Sequence, residues 1–211
     1  RGRVLRTVEH PALLRACARW EGGVLSVDLN GDTLVGVPSP TGQILKVDYW
    51  GRNAAVQGCT GPWAQAYSEH LGFDVVLCRS VTAGEVVYGA SVTVVTTASM
   101  RLLQDRLGRE VESGRFRSTF LIDTGDAPAH VEDSWVGCEL RVGEATVRIR
   151  KVVPRCAVVD ANPVTGREDA PVLRVLASYR QSQGEVNFGV DAVVTTAGRV
   201  GSGDQAKLEK A

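Results

Sequence analysis

Between residues 24 and 37, apolar and polar positions alternate in two short runs, VLSVDL and DTLVGV, on either side of Asn30-Gly31. Period-two alternation turns one face of each run towards a core. Asn-Gly is a favoured centre for a two-residue type I′ turn, so a β-hairpin is predicted. Elsewhere the spacing becomes helical. Trp63, Tyr67 and Leu71 recur at i, i+4 and i+8 between Pro62 and the stop signal Gly72. Met100, Leu103 and Leu107 share a face of residues 99–107, ahead of Gly108. Val172, Leu176 and Tyr179 align between Pro171 and Arg180, with Asp169 near the cap. Three helices are therefore expected.

Most of the remaining chain is Val-, Thr- and Ile-rich between glycine-containing turns, at 91–95, 120–123, 138–142, 146–153, 156–160 and 187–196. Short strands at close spacing predict a mainly β protein with a few helices, built as an antiparallel barrel or sandwich. A change of pattern near Tyr88 divides residues 1–87, an αβ piece, from a β domain over 88–205. The polar tail, 206–211, is expected to be disordered.

Composition narrows the function classes. Lys plus Arg equals Asp plus Glu at 24 each, and no basic stripe interleaves with aromatics, so nucleic acid is not an expected partner. No apolar run reaches the roughly 20 residues that span a bilayer, and no signal peptide is visible. The five cysteines, Cys17, Cys59, Cys78, Cys138 and Cys156, are odd in number and contain no CxxC pair. This favours reduced thiols and a cytoplasmic location over a disulfide scaffold or zinc site. Asp28, Asn30 and Asp32 imitate the start of a calcium loop, but Thr33 and Ser39 stand where Gly and a bidentate Glu are needed.

Familiar catalytic signatures are missing: no GxSxG, P-loop, HExxH or strand–GxGxxG–helix occurs. His10, His70 and His130 are far apart, and nothing pairs one of them with a nucleophile. Lys151 sits between Arg150 and Val152 in an ordinary strand pattern, so pyridoxal phosphate is not expected. The segment that does carry chemistry is Pro154-Arg155-Cys156, at the end of the apolar run 147–153 and ahead of Asp160-Ala161-Asn162-Pro163-Val164-Thr165-Gly166. It sets a thiol beside a guanidinium at a strand end. A thiolate is a soft metal ligand, and a neighbouring Arg favours the ionised form. The alternative is an inert cysteine buried in the core.

From about residue 88 the order of local motifs resembles the MOSC domain, the module shared by the C-terminal region of molybdenum cofactor sulfurases and by the mitochondrial amidoxime-reducing component with its bacterial relatives. The matching pieces are Thr96-Thr97-Ala98-Ser99, Arg115-Phe116-Arg117, Glu132-Asp133-Ser134-Trp135 and Val142-Gly143. Then follow Arg155-Cys156, Asn162 to Gly166, Leu176-Ala177-Ser178-Tyr179-Arg180, Phe188-Gly189, and Gly198 with Gly203-Asp204. More thinly, His10-Pro11-Ala12-Leu13-Leu14, the hairpin, and Trp63 to Leu71 look like the later part of the companion N-terminal domain. The first strands of that companion, with their Lys-Ser pair, have no counterpart. The chain is expected to start partway into it.

This resemblance implies a MOSC-type (PK-like) β-barrel preceded by a partial N-terminal α/β-barrel piece. It implies the molybdenum cofactor (molybdopterin), with Cys156 as metal ligand and catalytic centre. Thr97, Arg117, Thr119, Arg155 and Arg180 become candidate cofactor contacts, with Arg180 alternatively the partner of a carboxylate, and Asp133 a candidate proton donor or supporting partner. Arg117 is alternatively the partner of Glu132 or Asp133 in an ion pair, and the 132–135 segment alternatively a capped loop with Trp135 in the core. Two departures stand out: Arg117-Ser118-Thr119 replaces the family's Arg-Pro-Asn, and Asp191 occupies a position where the family often has an aromatic. The implied activity is reduction of N-hydroxylated or N- or S-oxide small molecules. Electrons would come from a separate flavin, iron–sulfur or haem protein, since the chain has neither a flavin fingerprint nor an iron–sulfur cysteine cluster. The competing readings are a sulfur carrier or cofactor-handling module with a persulfide on Cys156, and a non-catalytic interaction barrel.

Overall fold

The computed structural model describes residues 2–82, 84–87 and 89–209. Contacts divide the chain into two compact units, Arg1–Val87 with Pro163–Arg167, and Tyr88–Asn162 with Glu168–Ala211. The predicted boundary residue Tyr88, and Lys210 and Ala211 of the tail, lie outside the described residues. Residues 163–167, read from sequence as a turn of the second domain, group with the first unit. An isolated bridge between Ala161 and Glu168 closes the base of this loop. Among the described residues no helix is long and apolar enough to cross a membrane.

The first unit contains β1 (Gly2–Arg3), β2 (Cys17–Glu21), β3 (Val24–Leu29), β4 (Asp32–Gly36), β5 (Ser39–Tyr49), β6 (Arg52–Thr60), α1 (Trp63–Leu71) and β7 (Cys78–Ser80). They form one sheet ordered β1-β5-β6-β7 and another ordered β2-β3-β4. The predicted hairpin is present, and its turn residues Asn30 and Gly31 take φ of 55° and 96°, as a type I′ turn requires. Val27 and Leu29 bury their alternating face against Trp63, the first residue of α1. Asp28 Oδ2 receives Arg19 Nη1 and its Oδ1 receives the Thr33 hydroxyl, each at 2.7 Å.

The second unit contains β8 (Val92–Thr96), α2 (Thr97–Leu107), β9 (Phe120–Ile122), β10 (Glu139–Val142), β11 (Ala145–Pro154), α3 (Val172–Arg180), β12 (Gln181–Ser182), β13 (Glu185–Thr196) and β14 (Ala206–Glu209). Its sheet runs β14-β10-β11-β13-β8-β9 with β12 beside β13, and it curls as a half-barrel. Among the described residues the protein is mainly β with three α-helices. Pairing is antiparallel except at β8–β9, which is parallel because α2 carries the chain across between them. Val92, Val94, Val147, Ile149, Val190 and Ala192 fill one face with Trp135. Val95 and Phe188 meet α2 and α3 on the other, against Leu103, Val172 and Leu176.

Three expectations are corrected. Residues 156–160 form no strand: Ala157–Asp160 is a 3-10 turn whose Val159 N–H donates to Cys156 O at 3.2 Å. Short apolar runs carry no decisive period, and here Val159 plugs the core as a turn residue. Asp169 does not cap α3. The Leu173 N–H instead donates to Asp160 Oδ1 at 2.6 Å. The tail is not wholly disordered, since β14 pairs with β10 from Ala206↔Val142 to Glu209↔Glu139. Backbone pairing at a sheet edge needs no apolar side chains, so polarity alone did not reveal it.

Candidate functional site

β11 ends at Pro154, in register with Asn187 of β13. Beyond it the Arg155 N–H donates to Val186 O at 2.8 Å. The Arg155 side chain then runs along the same strand, donating from Nε to Phe188 O at 2.8 Å and from Nη1 to Phe116 O at 3.0 Å. Its guanidinium lies 5.3 Å from the Phe116 ring centroid, and that ring stacks on Phe188. Nη2 is buried without a partner. Burial pulls this guanidinium down to about 10, with the neighbouring Cys156 acting in the opposite sense. Arg155 thus remains a cation at neutral pH.

Cys156 follows in an extended conformation, and its thiol is free and exposed. It is therefore not buried in the core. The loop that presents it is clamped from behind by Arg115, whose guanidinium is fully buried. Arg115 donates to Asp160 O at 3.0 Å, to Asp169 Oδ1 at 2.5 Å and to Glu112 Oε2 at 3.0 Å. Asn162 Nδ2 joins the network by donating to Glu112 and Asp169. Sequence reasoning passed over Arg115 in favour of Arg117. The available signal was that two arginines flanking buried Phe116 cannot both face water on a tight turn.

Arg117 is the outward member of that pair. It is exposed, in the left-handed region at φ 48°, and its carbonyl accepts from Thr93 Oγ1 at 3.2 Å. The alternative ion pair with Glu132 or Asp133 does not form. Glu132 is fully buried and receives Thr96 Oγ1 at 2.9 Å and Ser99 Oγ at 2.7 Å, tying the start of α2 to the 3-10 turn Val131–Trp135. Thr119 pairs with Thr93, whose N–H donates to Thr119 Oγ1 at 3.2 Å. Thr97, opening α2, donates to Asp123 Oδ1 at 3.0 Å.

Asp133 and Arg180, predicted independently, are brought together. Arg180 Nη2 lies 2.5 Å from Asp133 Oδ2, and Arg180 Nε donates to Asn187 O at 3.1 Å. Both line a cavity of about 290 Å³ with Val152, Tyr179 and Asn187. Asp133 Oδ1, Asn187 Oδ1 and the Tyr179 hydroxyl are buried without partners. The His130 ring lies 5.7 Å from both Tyr179 and Phe188, and neither ring nitrogen has a partner. Burial, reinforced by Arg180 and opposed by Asp133, holds His130 down at about 4, so the imidazole is neutral at pH 7. The strand segment 186–188 is the common element: Arg155 bonds Val186 and Phe188, and Arg180 bonds Asn187 between them.

The family model of the MOSC domain matches residues 51–207, most of the chain. The chain belongs to the MOSC domain family. No curated protein matches it. MOSC domains are associated with molybdenum cofactor binding. In this MOSC chain Arg155 and Cys156, Phe116, and the Asp133–Arg180 pair gather about the β11 end and the start of β13, while the Arg117 carbonyl is held by Thr93 of β8. Thr97 and Thr119 are engaged at β8, on Asp123 and Thr93 respectively. His10 and His70 take partners of their own: His10 meets Phe73, with ring centroids 5.2 Å apart, and His70 bonds Asn30 and the Ala12 carbonyl.

Proposed function

We propose that the second unit binds the molybdenum cofactor with Cys156 as the protein ligand to the metal, in an oxidoreductase that reduces N-hydroxylated or N- or S-oxide small molecules. The observation that carries this reading is the Cys156 thiol, exposed and free on a turn that Arg115 anchors. The donor set fits the group. A single soft thiolate suits molybdenum, the exposed Arg117 guanidinium suits a phosphate, and Arg155 Nη2 is a donor awaiting an acceptor. Among the described residues no group of three or more His, Cys, Asp or Glu could hold a metal ion. That suits a metal delivered already chelated by its pterin.

When bound, the cofactor supplies two-electron chemistry at molybdenum. The chain's residues bind, orient and move protons around it. Arg155 is fixed by Phe116 and Phe188 carbonyls, so the thiol beside it sits on a rigid strand end. Thr119 Oγ1 accepts from Thr93 and keeps its own proton to donate, a partial substitute for the family's Asn. Arg180 holds one oxygen of Asp133, leaving Oδ1 as the atom placed to take up or return a proton. A separate electron-donor protein completes the cycle.

An exposed thiol also suits a persulfide, so a sulfur carrier is the second reading. One experiment separates the two. The chain is coexpressed with cofactor biosynthesis, and molybdenum and cyanide-releasable sulfur are measured per mole of wild type and of Cys156→Ala. Near-stoichiometric molybdenum, lost in the variant, supports the oxidoreductase reading. Sulfane sulfur lost in the variant, with little metal in either, supports the carrier. Little molybdenum in both proteins, unaltered by the substitution, sinks the leading reading.

A further inference from the structure

Three strands of the first unit bring three side chains into one outward row. The register sets Ile44 of β5 opposite Gln57 of β6, and Gln57 opposite Arg79 of β7. Residues opposite one another on neighbouring strands share a face. The other face of this sheet carries Val47, Tyr49, Ala54 and Val56 into the core, so the row looks away from it. Val81 continues the chain beyond β7 on the same outward face. Its N–H donates to Ala55 O at 3.1 Å, two residues along β6 from Gln57.

The row borders an open cavity of about 590 Å³, lined by Ile44, Gln57, Arg79, Ser80 and Val81. That volume falls within the range of small-molecule sites. Arg79 Nε donates to Gln57 Oε1 at 3.0 Å. This bond steadies the guanidinium over the sheet and leaves its two Nη groups, with the Gln57 NH2, as donors. Arg79 enters no ion pair among the described residues, and no described acid lines the cavity. Glu85, farther along the chain, engages the Ala55 N–H through Oε1 at 3.2 Å.

The apolar part of the lining is equally open. Ile44 is 60% exposed and Val81 50%, so a ligand that covers them gains by removing their surface from water. Ile44 and Arg79 stand on strands with one strand between, about 10 Å apart across the sheet. An unpaired guanidinium at one end and aliphatic surface at the other, with a neutral amide between, suit an anion with an apolar tail. Lys46 shares the outward face but not the cavity lining. A single cation therefore meets the ligand, which favours a carboxylate over a doubly charged phosphate.

We propose that the cleft over Ile44, Gln57 and Arg79 binds a medium-chain aliphatic monocarboxylate. The Arg79 fork donates to the carboxylate, and the alkyl chain crosses the row to cover Ile44. This site belongs to the first unit and is independent of the cofactor reading, which concerns the second.

Isothermal titration calorimetry of the full chain tests the proposal with three probes. Octanoate carries the charge and the tail, octanol the tail alone, and inorganic phosphate the charge alone. Wild type is expected to bind octanoate about ten-fold or more tighter than either control. Arg79→Gln should weaken octanoate about ten-fold or more, the scale of a lost charged hydrogen bond. Ile44→Ser should weaken it about three-fold or more. Both side chains are exposed, so unfolding midpoints are expected to match wild type. If Arg79→Gln fails to fold, Arg79→Lys replaces it, and an ammonium without the planar fork recovers only part of the affinity. No octanoate binding by wild type overturns the proposal, and so does binding that either substitution leaves unaltered. Octanol bound as tightly as octanoate overturns it too, since that reports apolar cover alone. Phosphate bound more tightly than octanoate, and lost in Arg79→Gln, overturns the assignment to a carboxylate.

Discussion

Arg115 Nη2 stands 2.5 Å from Asp169 Oδ1 and forms the centre of the clamp behind the Cys156 turn. The guanidinium is wholly buried, while Glu112 and Asp169 keep part of their carboxylates in water. Removing it strands the Val159 and Asp160 carbonyls as well as the two acids. Arg115→Met is expected to destabilise the protein by about 2–4 kcal/mol, below the full cost of breaking a wholly buried pair because the acids are partly solvated. Urea unfolding measures it. Arg115→Lys recovers only part of the loss, since an ammonium cannot reproduce the planar fork.

The features legible in the sequence are those set by local chemistry. Asn30-Gly31 specified its turn, and the i, i+4 spacing of Trp63, Tyr67 and Leu71 specified α1. The 156–160 run was misread because five apolar-rich residues fit a strand or a turn equally well. β14 escaped because its partner β10 lies far back in the chain. For the site, the exposure of Cys156 and the joining of Asp133 to Arg180 depend on tertiary placement that no spacing encodes. Arg115 and Arg117 show the same limit. One is buried and one exposed, two residues apart, and only the packing of Phe116 between them distinguishes their roles.

Arg117 adopts a left-handed conformation that non-glycine residues enter at some cost. Arg117→Gly removes that cost together with an exposed guanidinium that forms no ion pair among the described residues. Stability is expected to hold or rise by up to about 1 kcal/mol. If Arg117 grips the cofactor phosphate, molybdenum content falls in the same variant. Thermal unfolding and elemental analysis of one preparation read both effects, and a fold weakened together with the metal loss would assign Arg117 a structural role instead.

His130 makes stability depend on pH. Its folded-state value of about 4 is below the ordinary 6.5, so the unfolded chain binds the extra proton first as pH falls. The stability contributed by the neutral ring is fully present above pH 6.5 and is lost progressively towards pH 4. The ring is only half-buried, so screening limits the loss to roughly 1–2 kcal/mol. Unfolding midpoints between pH 7 and pH 4 should fall less steeply in His130→Gln than in wild type. Parallel slopes would show that the imidazole is not the titrating group.

Gly189 offers the most direct check on how closely β13 approaches β8. Its φ is 73°, and a Cβ there would lie 2.5 Å from Val94 O, a backbone atom that cannot swing aside. Gly189→Ala therefore meets two penalties, the left-handed backbone and the clash. Gly184 provides the comparison, with φ of 82° and nothing within 4 Å of the added carbon. Gly184→Ala is expected to cost about 1 kcal/mol, from the backbone alone. Gly189→Ala should cost about 3 kcal/mol or more, because the two strands must part or shift register locally. The difference in urea midpoints isolates the steric part. Near-equal values would mean that β8 yields at Val94.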